Sequence, residues 1–244
     1  MGTSQSIHLT PNWKSTKQSV TAITKEGGGE GNKNYVQFMR NFSRCVRNAN
    51  EHAGAGDRGG GKASFGVAGG KSAMRFAQFF YTVQKDGFDN ALGLIFSTEE
   101  LDNLKPDEFL LKLQEYLRGE EYDPSFDDAA ATAAMDEVLA DVFKDCDDMD
   151  SIKDVFEKSN EDKLFGWIVN FEVTYIIEYA SSLLHSHIFQ KEKDPDEVCR
   201  QIKDWLRQEL MDKLDEEGHP ADLYSPQGQS YISELTDKII SIWG

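Results

Sequence analysis

The sequence predicts an all-α protein, a disordered N-terminal tail followed by an irregular bundle of about seven to nine helices. Three observations predict it. Apolar residues recur at three- and four-residue intervals over long stretches, which is the period of one helix face. Pro106-Asp107-Glu108 and Asp194-Pro195-Asp196-Glu197 read as helix starts, because proline suits the first turn and acids suit the positive end of the macrodipole. No stretch alternates apolar and polar residues as a half-buried strand does.

Residues 1–33 are polar, interrupted only by Ile7, Leu9, Trp13, Val20 and Ile23. So few large apolar groups do not offset ordering entropy, so this segment is read as a flexible tail with a joint at 27–29. Residues 34–244 are read as one helical domain, a basic Gly-rich front over 34–75 and an acidic body over 76–244. Tyr35, Phe38, Met39, Phe42, Cys45 and Val46 form one apolar helix face, with Arg40, Arg44 and Arg47 on other sides. The Gly-rich stretch 54–70 breaks regular structure, and Phe76, Phe79, Phe80 and Val83 mark a helix beginning near Gly70-Lys71. A short apolar piece spans 88–96. A helix from Pro106 carries Phe109, Leu110, Leu113 and Leu117 to a stop at Gly119. An Ala-rich helix over 127–145 follows, with Met135, Val138, Leu139, Val142 and Phe143 on its apolar side. The most apolar segment, 162–190, is predicted to be the central buried helix. Another runs from the Pro195 start to Glu217, ended by Gly218, and a last one carries Tyr231, Leu235, Ile239, Ile242 and Trp243.

Charge narrows the function. The 244 residues hold 26 Lys+Arg and 43 Asp+Glu, a formal net charge of -17. Residues 1–75 carry 11 basic and 4 acidic side chains, leaving 15 and 39 for the remainder. The acidic body excludes whole-surface binding to DNA or an anionic membrane, because long-range repulsion opposes it. No apolar run reaches the roughly 20 residues a membrane span needs. No signal peptide is visible, and the chain is expected in the cytoplasm. Cys45, Cys146 and Cys199 are an odd, widely spaced set with no CxxC pair, so they are expected as reduced thiols rather than disulfides or a zinc site.

Near-matches to catalytic motifs fail on context. Gly54-Ala55-Gly56-Asp57-Arg58-Gly59 satisfies GxGxxG, but a helix, not a strand, precedes it. Gly61-Lys62-Ala63 lacks the Ser/Thr that would hold Mg²⁺, and Gly70-Lys71-Ser72 has Phe65 where the first Gly of a P-loop belongs. His185 and His187 are two apart, so a helix points them away from each other. The pair Asp127-Asp128 and the acids of 145–150 lack calcium-loop spacing and read as solvated helix ends. No residues present themselves as catalytic, and the chain is expected not to be an enzyme.

The start of the chain is different. Gly2 follows Met1 and precedes Thr3 and Ser4. Initiator removal would expose an unhindered α-amine of pKa about 7.7–8.0, partly neutral and nucleophilic at cellular pH. The same residues match the myristoylation pattern, although one acyl chain anchors only marginally beside an acidic body.

Taken in order, the motifs Met1-Gly2-Thr3-Ser4, Pro11-Asn12-Trp13, Phe38-x3-Phe42-Ser43-Arg44, Asp57-Arg58 and Gly69-Gly70-Lys71-Ser72-Ala73-Met74-Arg75 resemble the QatB family, the B component of Qat antiphage defence systems. The motif-bearing part is 1–75. The rest resembles the family in length, acidity and helical character. The tail departs from the family pattern in having Pro11 as its one proline. The resemblance implies three neighbours: a QueC-like modifying enzyme (QatC-like), an ATPase (QatA-like) and a TatD-like nuclease (QatD-like). It further implies a covalent 7-deazaguanine adduct on the α-amine of Gly2, with Met1, Thr3 and Ser4 recognised by the modifying enzyme and ATP used by that partner. The chain then needs no cofactor or metal of its own. Arg44, Arg58, Lys62, Lys71 and Arg75 are the candidate partner-binding residues. The alternative reading is a helical adaptor that binds nucleic acid through the basic front.

Overall fold

The computed structural model describes residues 11–53, 65–97, 104–119, 125–189, 194–220 and 222–244. Every regular element among them is helical: α1 (Pro11–Glu26), α2 (Lys33–Ala53), α3 (Val67–Asp86), α4 (Phe88–Leu92), α5 (Pro106–Arg118), α6 (Phe126–Val142), α7 (Met149–Glu157), α8 (Glu161–Phe189), α9 (Pro195–Glu217), α10 (Pro226–Ser233) and α11 (Leu235–Trp243). The all-α expectation holds. The eleven helices among the described residues exceed the seven to nine expected because α1 and α7 add to the set and the last helix is two.

Helix α8 is the spine, and α6, α9, α1 and α3 pack around it. Leu164, Ile168, Phe171, Val173, Tyr175 and Ile176 are fully buried, so the helix is apolar on every side, as a buried central helix must be. The same core extends under α3, where Phe156 of α7 meets Phe79 at 5.3 Å and Phe143 at 5.2 Å, with Phe88 and Phe109 also in contact.

The flexible-tail reading of 1–33 does not hold for 11–33. Residues 11–26 are a helix lying antiparallel on α2, with Trp13, Val20 and Ile23 buried. Its other buried side chains are small and polar: Thr16, Ser19 and Thr24. Their hydroxyls are satisfied inside the hairpin. Thr16 contacts the Cys45 thiol at 3.4 Å, Ser19 donates to the Ser15 carbonyl at 3.0 Å, and Asn41 of α2 donates to Ser19 Oγ at 2.7 Å. A face built on internal hydrogen bonds has no apolar stripe to announce it. The 27–29 joint is a tight turn instead of a flexible one. Gly27 and Gly29 take φ of 62° and 70°, conformations that favour glycine, and Asn34 Nδ2 ties back to the Gly27 carbonyl at 3.0 Å.

Helix α7 hides inside the acidic run. Asp148 caps it by accepting from the Ser151 amide at 2.8 Å, and only Ile152 and Phe156 are its fully buried anchors. At the C-terminal end, Ser225 caps α10, accepting from Gly228 N at 3.0 Å, and the chain turns at Glu234 before α11. The three cysteines are free thiols.

Candidate functional site

The head of α3 is where distant parts of the chain converge. Phe65 is buried against three aromatic rings: it stacks on Tyr175 at 4.8 Å and meets Tyr179 at 4.5 Å and Phe42 at 5.8 Å, both edge-on. Gly66 follows at φ 103°, in the left-handed region. That turn aims the first amides of α3 at Asp127 of α6. Gly66 N donates to Asp127 Oδ1 at 3.1 Å and Ala68 N donates to Asp127 Oδ2 at 2.8 Å. The Tyr175 hydroxyl donates to Asp127 and accepts from Gly66 N at 2.9 Å. Asp127 therefore serves as the N-terminal cap of α3 from another helix, and its charge sits at the positive end of the α3 dipole. Gly69 lets Tyr175 lie against the backbone, since a Cβ there would be 2.3 Å from the ring.

Behind this cap sits a second buried acid. Glu172 accepts a hydrogen bond from Thr236 of α11 at 2.9 Å, while its other oxygen has no hydrogen-bond partner among the described residues. Burial pushes its carboxyl up to about 8, and the charges of Asp127 and Asp237 push the same way, against the Thr236 hydrogen bond. Burial also raises Asp127, opposed by its bonds to Tyr175, Ala68 and Gly66. Burial and the Asp127 charge hold the Tyr175 phenol well above its usual range.

A cleft of about 290 Å³ opens between the head of α3, the end of α10 and the start of α11. Phe65, Val67 and Met74 give it an apolar wall; Gly66 and Gly70 lie along α3, while Lys71, Ser233 and Asp237 supply polar groups. Gly70 is needed for closeness, since a Cβ there would be 2.9 Å from the Ser233 carbonyl oxygen.

Of the residues singled out from sequence, Met1, Gly2, Thr3, Ser4, Arg58 and Lys62 lie outside the described residues. Arg44 is exposed on α2, and Lys71 is exposed at the cleft. Arg75 is engaged by the fold: its Nη1 donates to the carbonyls of Arg118 at 2.7 Å and Leu117 at 3.4 Å, closing the C-terminal end of α5. Asp127 corrects the solvated-helix-end reading, being 2% exposed. Sequence reasoning also passed over Glu172 as a site residue. Both were legible in the spacing: Asp127 falls in register with Ala130, Ala131, Ala134 and Val138, and Glu172 with Ile168, Tyr175 and Tyr179. An acid on an apolar stripe is a buried acid. His185 lies 3.6 Å from Asp196, and the His219 ring stacks on Phe165 at 4.4 Å. Among the described residues no three His, Cys, Asp or Glu side chains gather as a metal site, and no helix is long and apolar enough to cross a membrane.

A family model for a Qat anti-phage system associated protein matches residues 60–243, which take in the α3 head, both buried acids and the cleft. The helical molecule built around them is thus a component of an anti-phage defence system. The chain belongs to the QatB family. Other Qat components are accordingly its partners. No curated protein and no solved structure matches it.

Proposed function

We propose that this chain is a non-catalytic defence subunit and the protein substrate for conjugation of a 7-deazaguanine group to the α-amine of Gly2 by a QueC-like partner. The observation that carries the reading is Met1-Gly2-Thr3-Ser4 at the head of a QatB-family chain. An acceptor needs a reachable amine, and a 7-deazaguanine carboxylate adenylated at the partner's expense of ATP supplies the electrophile. The amine attacks the activated carboxyl carbon, AMP leaves, the nitrogen gives up a proton, and an amide remains. Thr3 and Ser4 are small and polar, suited to threading into a narrow active site. The ATPase and the nuclease of the system are the remaining proposed partners.

The docking of α1 limits the geometry. Trp13 is anchored in the core, so ten residues, not thirty-three, precede the first described helix. At full extension the nine residues from Gly2 to the start of α1 reach at most about 30 Å. The modifying site must come that close to the α1–α2 hairpin.

The test is coexpression with the QueC-like neighbour in cells that make deazaguanine precursors, followed by tandem sequencing of the N-terminal peptide. Gly2→Trp should lose both adduct and phage protection while its helical circular dichroism stays unchanged. Protection at the wild-type level by Gly2→Trp would remove the proposed role of Gly2. The nucleic-acid reading takes Arg40, Arg44, Arg47, Arg58 and Lys62 as phosphate contacts, of which Arg40, Arg44 and Arg47 are exposed at i, i+4 and i+7 on α2. It predicts binding that weakens steeply with salt.

A further inference from the structure

We propose that the cleft at the head of α3 holds this chain's own N-terminal segment, residues 1–10, and so keeps Gly2 against the body until a partner draws it out. The inference rests on the reading of Gly2 as the functional end and adds a regulation to it.

Place is the first argument. The antiparallel hairpin brings the start of α1 to the same end of the molecule as the α3 head. Trp13 meets Phe42 edge-on at 6.3 Å, Phe42 meets Phe65 at 5.8 Å, and Phe65 lines the cleft. The chain ahead of α1 therefore begins two ring contacts from the cleft, well inside its reach of about 30 Å.

Chemistry is the second. Val67 on the cleft wall is 50% exposed, an uncovered large apolar side chain. Residues 1–10 carry Ile7 and Leu9 for such a wall, and burying each contributes about 1.5–3 kcal/mol before ordering costs. The segment has no Asp or Glu, so the acidic body does not repel it, and Lys71 and Asp237 leave the cleft mouth without a net charge against it.

The experiment uses the full, unmodified chain without partners, so failure of conjugation and failure of this proposal are distinguishable. Benzoylphenylalanine is placed at Val67 and irradiated, and the crosslinked peptides are sequenced. The expected product is an intramolecular crosslink to residues 1–10. Crosslinks only elsewhere in the chain, only to a second copy, or none at all would overturn it. A second readout is trimming of the N-terminus by an aminopeptidase. If about nine molecules in ten hold the segment, trimming runs about tenfold slower than for a free one, because only the free fraction is cut. Val67→Asp should restore the fast rate. Leu94→Asp, at a side chain 49% exposed and not on the cleft wall, should not. Equal rates for wild type and Val67→Asp would also overturn it.

Discussion

The Tyr175 hydroxyl donates to the carboxylate of Asp127, 48 residues earlier in the chain, and the pair together receives the first amides of α3. One buried acid thus joins α6, α8 and α3 and sets the direction of the chain leaving the Gly-rich stretch.

Asp127→Asn should destabilise the fold strongly. Both carboxylate oxygens are in use, and an amide presents one acceptor and two donors to three donors. The cost is about 3 kcal/mol for leaving buried donors unpaired, against about 1–2 kcal/mol for Tyr175→Phe, which leaves Asp127 its two amides. Urea unfolding of the two variants checks the order.

Glu172 makes stability depend on pH. Its carboxyl is raised from 4.5 to about 8. Between those values the folded protein holds a proton that the unfolded chain releases, so stability falls as pH rises through this window. Glu172→Gln mimics the protonated form. It should match wild type near pH 5 and exceed it at pH 8–9 by on the order of 3 kcal/mol. Denaturation midpoints at the two pH values measure this. A wild-type midpoint that Glu172→Gln leaves equally pH-dependent would contradict the assignment.

The large helices were legible because burial and capping both write into the chain: α2 and α5 follow from the period of 3.6 around Phe38 and Leu113, α8 from its apolar richness around Ile168, and α9 from its Pro195 start and Gly218 stop. Helix α1 was not, because Thr16, Ser19 and Thr24 bury hydroxyls that bond locally. The site was half legible. Gly66, Gly69 and Gly70 stand out as a glycine cluster, but only the fold shows that Gly69 faces Tyr175 and Gly70 faces Ser233. The Asp127–Tyr175 pairing is a long-range contact that no local pattern encodes. The family match runs from residue 60 to 243, largely over the part in which sequence reading found general character rather than motifs.

Two glycines should respond in opposite directions. Gly69→Ala drives a methyl into the Tyr175 ring and should cost about 2–3 kcal/mol by overpacking. Gly166→Ala meets nothing within 4 Å in the second turn of the helical spine and should stabilise by up to about 1 kcal/mol through helix propensity. Thermal melts of both variants test the contrast.

Trp13→Ala should lower stability by about 3 kcal/mol, the cost of truncating a buried large side chain. A loose tail would show no change. Chemical unfolding, with hydrogen exchange across residues 13–26, separates the two outcomes.

The central claim is that Gly2 is an acceptor. Intact mass of the chain, made alone and beside its QueC-like neighbour in deazaguanine-producing cells, tests it most directly. The account predicts loss of Met1 and a partner-dependent deazaguanine adduct that fragments to the Gly2 α-nitrogen. An unmodified Gly2 under both conditions would contradict it.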